Sequence, residues 1–238
     1  FYGYRPIRDE HRSKGSRYKT ESDSEIALHL YLQHGLRATE QLRGEFAVLI
    51  ADQRRDIMIA IRDRFGIKPL FYAVTPEGVF FASEIKALLA LGVPAAWDAE
   101  AAWQDLYLFR NHERTLFAGI RSVPQGCYAV ARGGDVQIYR YWDWDFPTTE
   151  ETAADKRSEA EVVAGFRDVL CDAVRERMVA DVEVGCYLSG GIDSCAVLGL
   201  AQRQMSRPIR AYTLAFDNPL WDESPIARRQ AEFVGATY

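Results

Sequence analysis

The amino-acid sequence predicts two domains, an α+β domain followed by an α/β domain with a parallel sheet, and three observations carry that reading. In the first part, short apolar runs are separated by turn residues, the pattern of antiparallel hairpins set among helices. Pro147-Thr148-Thr149-Glu150-Glu151-Thr152 is then polar, acidic and unpatterned, as a linker is. Beyond it, two almost continuously apolar runs alternate with helical patterns, as strands covered on both faces of a parallel sheet do. A length of 238 residues, 48% of them hydrophobic, suffices for one large core or two modest ones. The expected boundaries are residues 1–146, a linker at 147–157 and a second domain at 158–238.

Taken in order, helices are expected at 24–33, 84–91 and 99–109. Hairpins are expected to pair 46–51 with 57–61 across Asp52-Gln53-Arg54-Arg55-Asp56, and 70–74 with 79–82 across Thr75-Pro76-Glu77-Gly78. A third pairs 127–131 with 136–139 across Arg132-Gly133-Gly134-Asp135. After the linker, Val162, Phe166, Val169, Ala173 and Val174 share one helical face, which predicts an amphipathic helix over 158–179. Strands at 182–188 and 209–216 and a helix at 224–234 complete the pattern.

Composition excludes several functions. A net charge of −5 and a pI near 5.5, with Lys and Arg scattered, leave no basic face for a nucleic-acid backbone. No apolar run approaches the roughly 20 residues of a membrane helix, and no signal segment opens the chain, so a cytoplasmic location is expected. Cys127, Cys171, Cys186 and Cys195 are widely spaced and read as free, mostly buried thiols. His11, His29, His34 and His112 lack metal-ligand spacing. Because it opens at Phe1, in mid-pattern and without an initiator Met, the chain is expected to be a fragment or a processed form.

The strongest chemical signal lies between Leu188 and Ala196, where Ser189-Gly190-Gly191-Ile192-Asp193-Ser194 turns an apolar strand into a helix. Gly190 and Gly191 lack a Cβ, so backbone N–H groups can approach an anion and positive φ carries no strain. The first amides of the following helix add the positive end of its dipole. Ser189 and Ser194 can donate to phosphate oxygens. A carboxylate at Asp193 would repel phosphate unless a cation stands between them, which predicts Mg²⁺. The loop falls at the carboxyl end of a parallel strand, where open α/β sheets bind ligands. It is not a Walker loop, since no Gly-Lys-Ser/Thr ending follows. The alternative is an ordinary tight turn in which Asp193 and Ser194 cap the helix.

Ser-Gly-Gly-x-Asp-Ser after an apolar strand resembles the pyrophosphate loop of enzymes that split ATP into AMP and pyrophosphate. The approach Asp181-Val182-Glu183-Val184-Gly185-Cys186-Tyr187-Leu188 is similar to that of glutamine-dependent asparagine synthetases. Cys195 departs from the small residue usual there. Arg62-Asp63-Arg64-Phe65-Gly66-Ile67-Lys68-Pro69-Leu70-Phe71-Tyr72 resembles the amino-terminal glutaminase domain of the same family. So do Leu42-Arg43-Gly44-Glu45-Phe46-Ala47, Phe81-Ala82-Ser83-Glu84-Ile85-Lys86-Ala87-Leu88 and the turn from Gly119 to Gly126 before Tyr141-Trp142.

The resemblance implies a partial four-layer αββα glutaminase of the N-terminal nucleophile hydrolase type, followed by a partial adenine nucleotide hydrolase-like (PP-loop) domain. It implies glutamine, ATP with Mg²⁺, and aspartate or another carboxylate as ligands, with a homodimer as a candidate assembly. ATP or pyrophosphate would contact Leu188, Ser189, Gly190, Gly191, Asp193, Ser194 and Leu214, with Asp193 on the metal. Leu188 and Leu214 read equally as core leucines. Asp23 matches the carboxylate that binds the α-amino group of glutamine. Locally, Ser22 and Glu25 have capping-box spacing, and Asp23 could instead be a first-turn acid. The family's nucleophile is an amino-terminal cysteine, expected upstream of Phe1, so no catalytic residue is assigned within the chain. Gly66 and Pro69 read as a structural turn, and Asp222-Glu223 as the cap of the helix at 224–234.

Overall fold

The computed structural model describes residues 1–109 and 113–238, which form two compact units, Phe1–Phe146 and Pro147–Tyr238. The first holds helices α1 (Tyr4–Ser13), α2 (Glu25–His34), α3 (Ala38–Gln41), α4 (Ile85–Ala90) and α5 (Ala99–Leu106). Its strands are β1 (Ala47–Asp52), β2 (Ile57–Arg62), β3 (Phe71–Thr75), β4 (Gly78–Ala82), β5 (Ile120–Ser122), β6 (Cys127–Arg132) and β7 (Asp135–Arg140). The second holds α6 (Thr149–Ala154), α7 (Glu159–Arg177), β8 (Gly185–Tyr187), α8 (Ile192–Gln204), β9 (Arg210–Tyr212) and α9 (Ser224–Val234).

Alternation of side chains builds the first unit into four layers. Antiparallel sheets β1-β2-β6-β7 and β4-β3-β5 contain all three expected hairpins. On β2, Ile59 and Ile61 pack against Ile26, Leu30 and Tyr31 of α2, while Ala60, on the other pleat face, packs with Cys127 and Ala129 of the neighbouring strand β6 and with Tyr72 of β3 in the second sheet. On β3, Ala73 faces the opposite way from Tyr72 and meets Leu88 of α4. The order is therefore helix, sheet, sheet, helix. The expected 99–109 helix ends at Leu106, and Leu108 takes a positive φ of 61° beyond it.

Three elements lack the pattern expected of them. In α1 only Arg8 and His11 are buried, so no apolar stripe marks it. Strand β5 spans three residues and pairs with β3, far from it in sequence. The linker contains α6, whose Thr148 and Glu151 form a capping box although the helix buries nothing.

In the second unit, β8 and β9 run parallel, with Cys186 opposite Ala211. Each is shorter than expected, and neither is covered on both faces: Tyr187 of β8 is 86% and Tyr212 of β9 51% exposed. One face packs Leu188, Ile209 and Ala211 against Val174, Leu198, Ala201, Ala227 and Ala231 of the helices. Helix α7 opens with a capping box of Ser158 and Glu161. Of its expected apolar face only Val174 is buried, and Val162, Phe166 and Val169 are exposed.

Candidate phosphate loop and glutamine-binding acid

Backbone pairing at the end of β8 sets the start of the loop. Leu188 N–H donates to Tyr212 O at 2.8 Å, and Thr213 Oγ1 donates to Leu188 O at 2.6 Å, so the chain is tied to the neighbouring strand up to the residue before Ser189. At Gly190, φ is +83°, a left-handed conformation that lets the chain reverse into α8. Gly191 is different from what was expected: its φ is −72°, and it serves as the N-cap of α8. Cys195 N–H makes a helical bond to Gly191 O at 3.0 Å, which leaves the amides of Ile192, Asp193 and Ser194 ahead of the regular ladder.

The two hydroxyls meet across this turn. Ser189 Oγ and Ser194 Oγ are 3.1 Å apart, Gly191 N–H donates to Ser189 Oγ at 3.3 Å, and Ser194 Oγ donates to Gly191 O at 3.1 Å. These weak, exposed bonds hold donors in a ring that an anion could replace as the common acceptor. Gly191, the N-cap, has no side chain with which to cap α8, and Asp193 and Ser194 lie within its first turn rather than at the cap position, with Asp193 exposed. The structure thus gathers Ser189, Gly190, Gly191, Asp193 and Ser194. Leu188 is 2% exposed and belongs to the core, whereas Leu214, beyond β9, is 77% exposed.

The donor set suits a polyphosphate with a bridging cation. Among the described residues no group of three or more His, Cys, Asp or Glu could hold a metal ion, and His112 lies outside those residues. A cation at Asp193 would therefore take its remaining ligands from phosphate and water, as Mg²⁺ commonly does. Cys195 packs half-buried against the core of this unit, which accommodates its departure from the small residue expected. At the start of α9, Asp222 accepts from Ser224 N–H at 3.1 Å and Ser224 Oγ at 2.8 Å, and these bonds hold its carboxyl below the usual range. The capping acid of the pair is Asp222, while Glu223 occupies the N-cap position without a side-chain bond.

In the first unit Asp23 stands at the amino end of α2, and its carboxylate contacts the α-ammonium of Phe1. The Ser22/Glu25 capping box does not form. Glu25 instead turns back to accept from Lys19 N–H at 2.7 Å, Thr20 N–H at 2.9 Å and Thr20 Oγ1 at 2.8 Å, and its carboxyl is lowered to about 2, first by the Lys19 amide. Sequence reasoning missed this reversal, and missed Arg8, which donates to the same segment from α1.

The long motif around Gly66 is a backbone-holding knot. Asp63, fully buried, accepts from Phe46, Phe65, Ile67 and Lys68 amides at 2.9 to 3.2 Å. Arg62 donates to Lys68 O, Gly66 O, Val123 O and Ser122 Oγ, and Tyr141 OH donates to Arg62 O at 2.8 Å. Burial pushes the Tyr141 phenol up and the Arg62 guanidinium down. The charges of Arg62 and Asp63 serve the fold of the turn.

The cysteines form no disulfide; Cys127 is buried and the other three are half-buried. Burial raises the thiol pKa of Cys127 and Cys186, which opposes nucleophilic use. No helix among the described residues is long and apolar enough to cross a membrane.

Comparison with known proteins connects the two sites. The family model described as "Glutamine amidotransferase domain" matches residues 1–142, and that described as "Asparagine synthase" matches 165–237. "Amidase chry2" of Gibberella zeae is 38% identical over 90% of this chain and 34% of its own length. "Asparagine synthetase [glutamine-hydrolyzing] 1" of Bacillus subtilis is 32% identical over 98% of this chain and 36% of its own length. The chain thus spans about a third of the length of these relatives. A solved glutamine phosphoribosylpyrophosphate amidotransferase from B. subtilis overlays on 90% of this chain and 44% of its own, at 17% identity and a TM-score of 0.43. With one model covering more than half of its residues and the other following it in order, the chain belongs to the glutamine amidotransferase domain family, in the branch that joins this domain to an asparagine synthase domain.

Proposed function

We propose that the protein carrying this chain makes an amide from a carboxylate through an acyl-adenylate, with glutamine as the nitrogen donor. The observation that supports this most is the Ser189 to Ser194 turn at the carboxyl end of a parallel strand, in a chain whose two family matches pair glutamine amidotransfer with asparagine synthesis. An acceptor carboxylate oxygen attacks the α-phosphorus of ATP and pyrophosphate departs. Ammonia then attacks the acyl carbon, and AMP leaves with the bonding electrons.

In this reading Ser189, Ser194 and the amides after Gly190 hold the departing pyrophosphate, where charge builds as the bond to the α-phosphorus breaks. Asp193 would hold Mg²⁺, which would supply charge neutralisation when bound. Leu188 shapes the pocket from the core through its backbone, and Leu214 flanks the nucleotide. Asp23 accepts the α-ammonium of glutamine. The family resemblance implies a cysteine thiol as the glutaminase nucleophile, and the burial that raises the Cys127 and Cys186 thiols argues against those two in that role. Aspartate is the first choice of acceptor. A second reading keeps the adenylation and changes the acceptor, and the higher identity to a protein named amidase than to asparagine synthetase 1 favours testing it.

The test incubates the full-length protein with ATP, Mg²⁺, ammonia and a panel of carboxylates. AMP and asparagine are expected with aspartate; AMP formed only with another acid supports the second reading. Formation of ADP in place of AMP would overturn both.

A further inference from the structure

We propose that Arg8 is a positioning residue that holds Asp23 where it can receive the α-ammonium of glutamine; the inference rests on the glutamine-binding reading of Asp23. Arg8 lies on α1 and is 4% exposed. Its Nη1 donates to Glu21 Oε2 at 2.8 Å, and its Nη2 donates to two main-chain carbonyls, Glu21 O at 2.9 Å and Ser22 O at 2.6 Å. Ser22 immediately precedes Asp23. From the other side, Glu25 of α2 grips the amides of Lys19 and Thr20. The segment leading to Asp23 is thus held by a buried cation on one helix and by an anion on the next.

Stability alone does not account for the choice of arginine. The Arg8 Nε is buried without an acceptor, and an unsatisfied buried donor costs stability. An apolar chain of similar length could fill the space beside the rings of Tyr4 and Tyr18, over which the guanidinium lies at 4.9 and 5.5 Å, without that cost. What the planar fork supplies is a fixed geometry in which Nη2 donates to both carbonyls while Nη1 holds the Glu21 carboxylate, which together fix the path of the chain into Asp23. A carboxylate that recognises an ammonium through charge-assisted bonds is sensitive to its placement, so an error of about 1 Å is costly.

The experiment titrates full-length protein with L-glutamine by calorimetry, which needs no competent nucleophile, and measures ammonia-dependent AMP formation in parallel. Arg8→Met is expected to weaken glutamine binding about tenfold or more, with Arg8→Lys between it and the wild type, while the ammonia-dependent rate and the affinity for ATP stay unchanged. Asp23→Asn serves as the reference. If it binds glutamine as the wild type does, or if the wild type does not bind glutamine, the reading of Asp23 falls and this inference falls with it. If Asp23→Asn is impaired while a folded Arg8→Met is not, Arg8 alone is refuted. Should Arg8→Met not fold, Arg8→Lys and Glu25→Gln decide the matter: weaker glutamine binding in both supports the clamp, and wild-type binding in both overturns it.

Discussion

A Cβ placed on Gly190 would stand 3.0 Å from Ile226 Cγ2, with Ala227 N at 3.3 Å behind it, so the turn from Ser189 to Ser194 rests directly on the first turns of α9. Contact and a φ of +83° both select glycine at this position. Gly190→Ala is expected to cost roughly 1–3 kcal/mol in chemical denaturation and to weaken ATP binding. Adding Ile226→Ala should relieve the contact but not the dihedral strain, giving partial recovery. Full recovery would show that the backbone conformation matters little.

Asp193 makes the opposite prediction for stability. It is exposed and caps nothing, so Asp193→Asn should change unfolding free energy by no more than about 0.5 kcal/mol. With Asp193 as the proposed Mg²⁺ ligand, loss of its charge should instead raise the Mg²⁺ concentration needed for half-maximal AMP formation. An unaltered Mg²⁺ titration would remove Asp193 from the metal.

Asp63 should behave as a structural residue. Replacing it by Ala would strip acceptors from four backbone amides around a fully buried site, at a cost of about 3–5 kcal/mol. Denaturant unfolding of the first unit would measure it, and a loss below about 1 kcal/mol would mean that water replaces the carboxylate.

Two groups on α1 and α2, His11 and Glu25, make this region acid-sensitive. The Glu25 carboxyl is lowered from 4.5 to about 2, so its folded state prefers the charged form; its contribution is complete above pH 4.5 and drains away as pH falls toward 2. His11 is buried beside Tyr18 OH at 2.8 Å, and its pKa is lowered first by burial and then by His29. The fold prefers the neutral ring, so this contribution is complete above pH 6.5 and declines as pH falls below it. Circular dichroism of thermal unfolding at stepped pH should show two acid-side losses, and Glu25→Gln should remove the lower one alone.

Much of the first unit was legible because hairpins are local. The alternation in 46–61, 70–82 and 127–139 needs only neighbouring residues and a turn between them, and all three pairs form. The strand β5 was hidden because three residues carry no period, and its ladder partner β3 lies far from it in sequence. Helix α1 was hidden because it buries Arg8 and His11 where a stripe of apolar side chains would be sought. The capping box at Thr148 was a readable signal for α6, and the polar composition around it obscured it.

By itself the sequence determined the strand, glycine turn and helix that place Ser189 to Ser194 together, since that geometry arises from bonds among residues a few positions apart. It also marked Asp23 as an acid at a helix start. Only the tertiary structure decided which glycine bends the turn, which residue presses on it from α9, that Glu25 faces backward to the loop, and that Arg8 grips the carbonyls before Asp23. Those arrangements depend on side chains from separate elements meeting in a packed interior, and nothing in local spacing encodes which of them will meet.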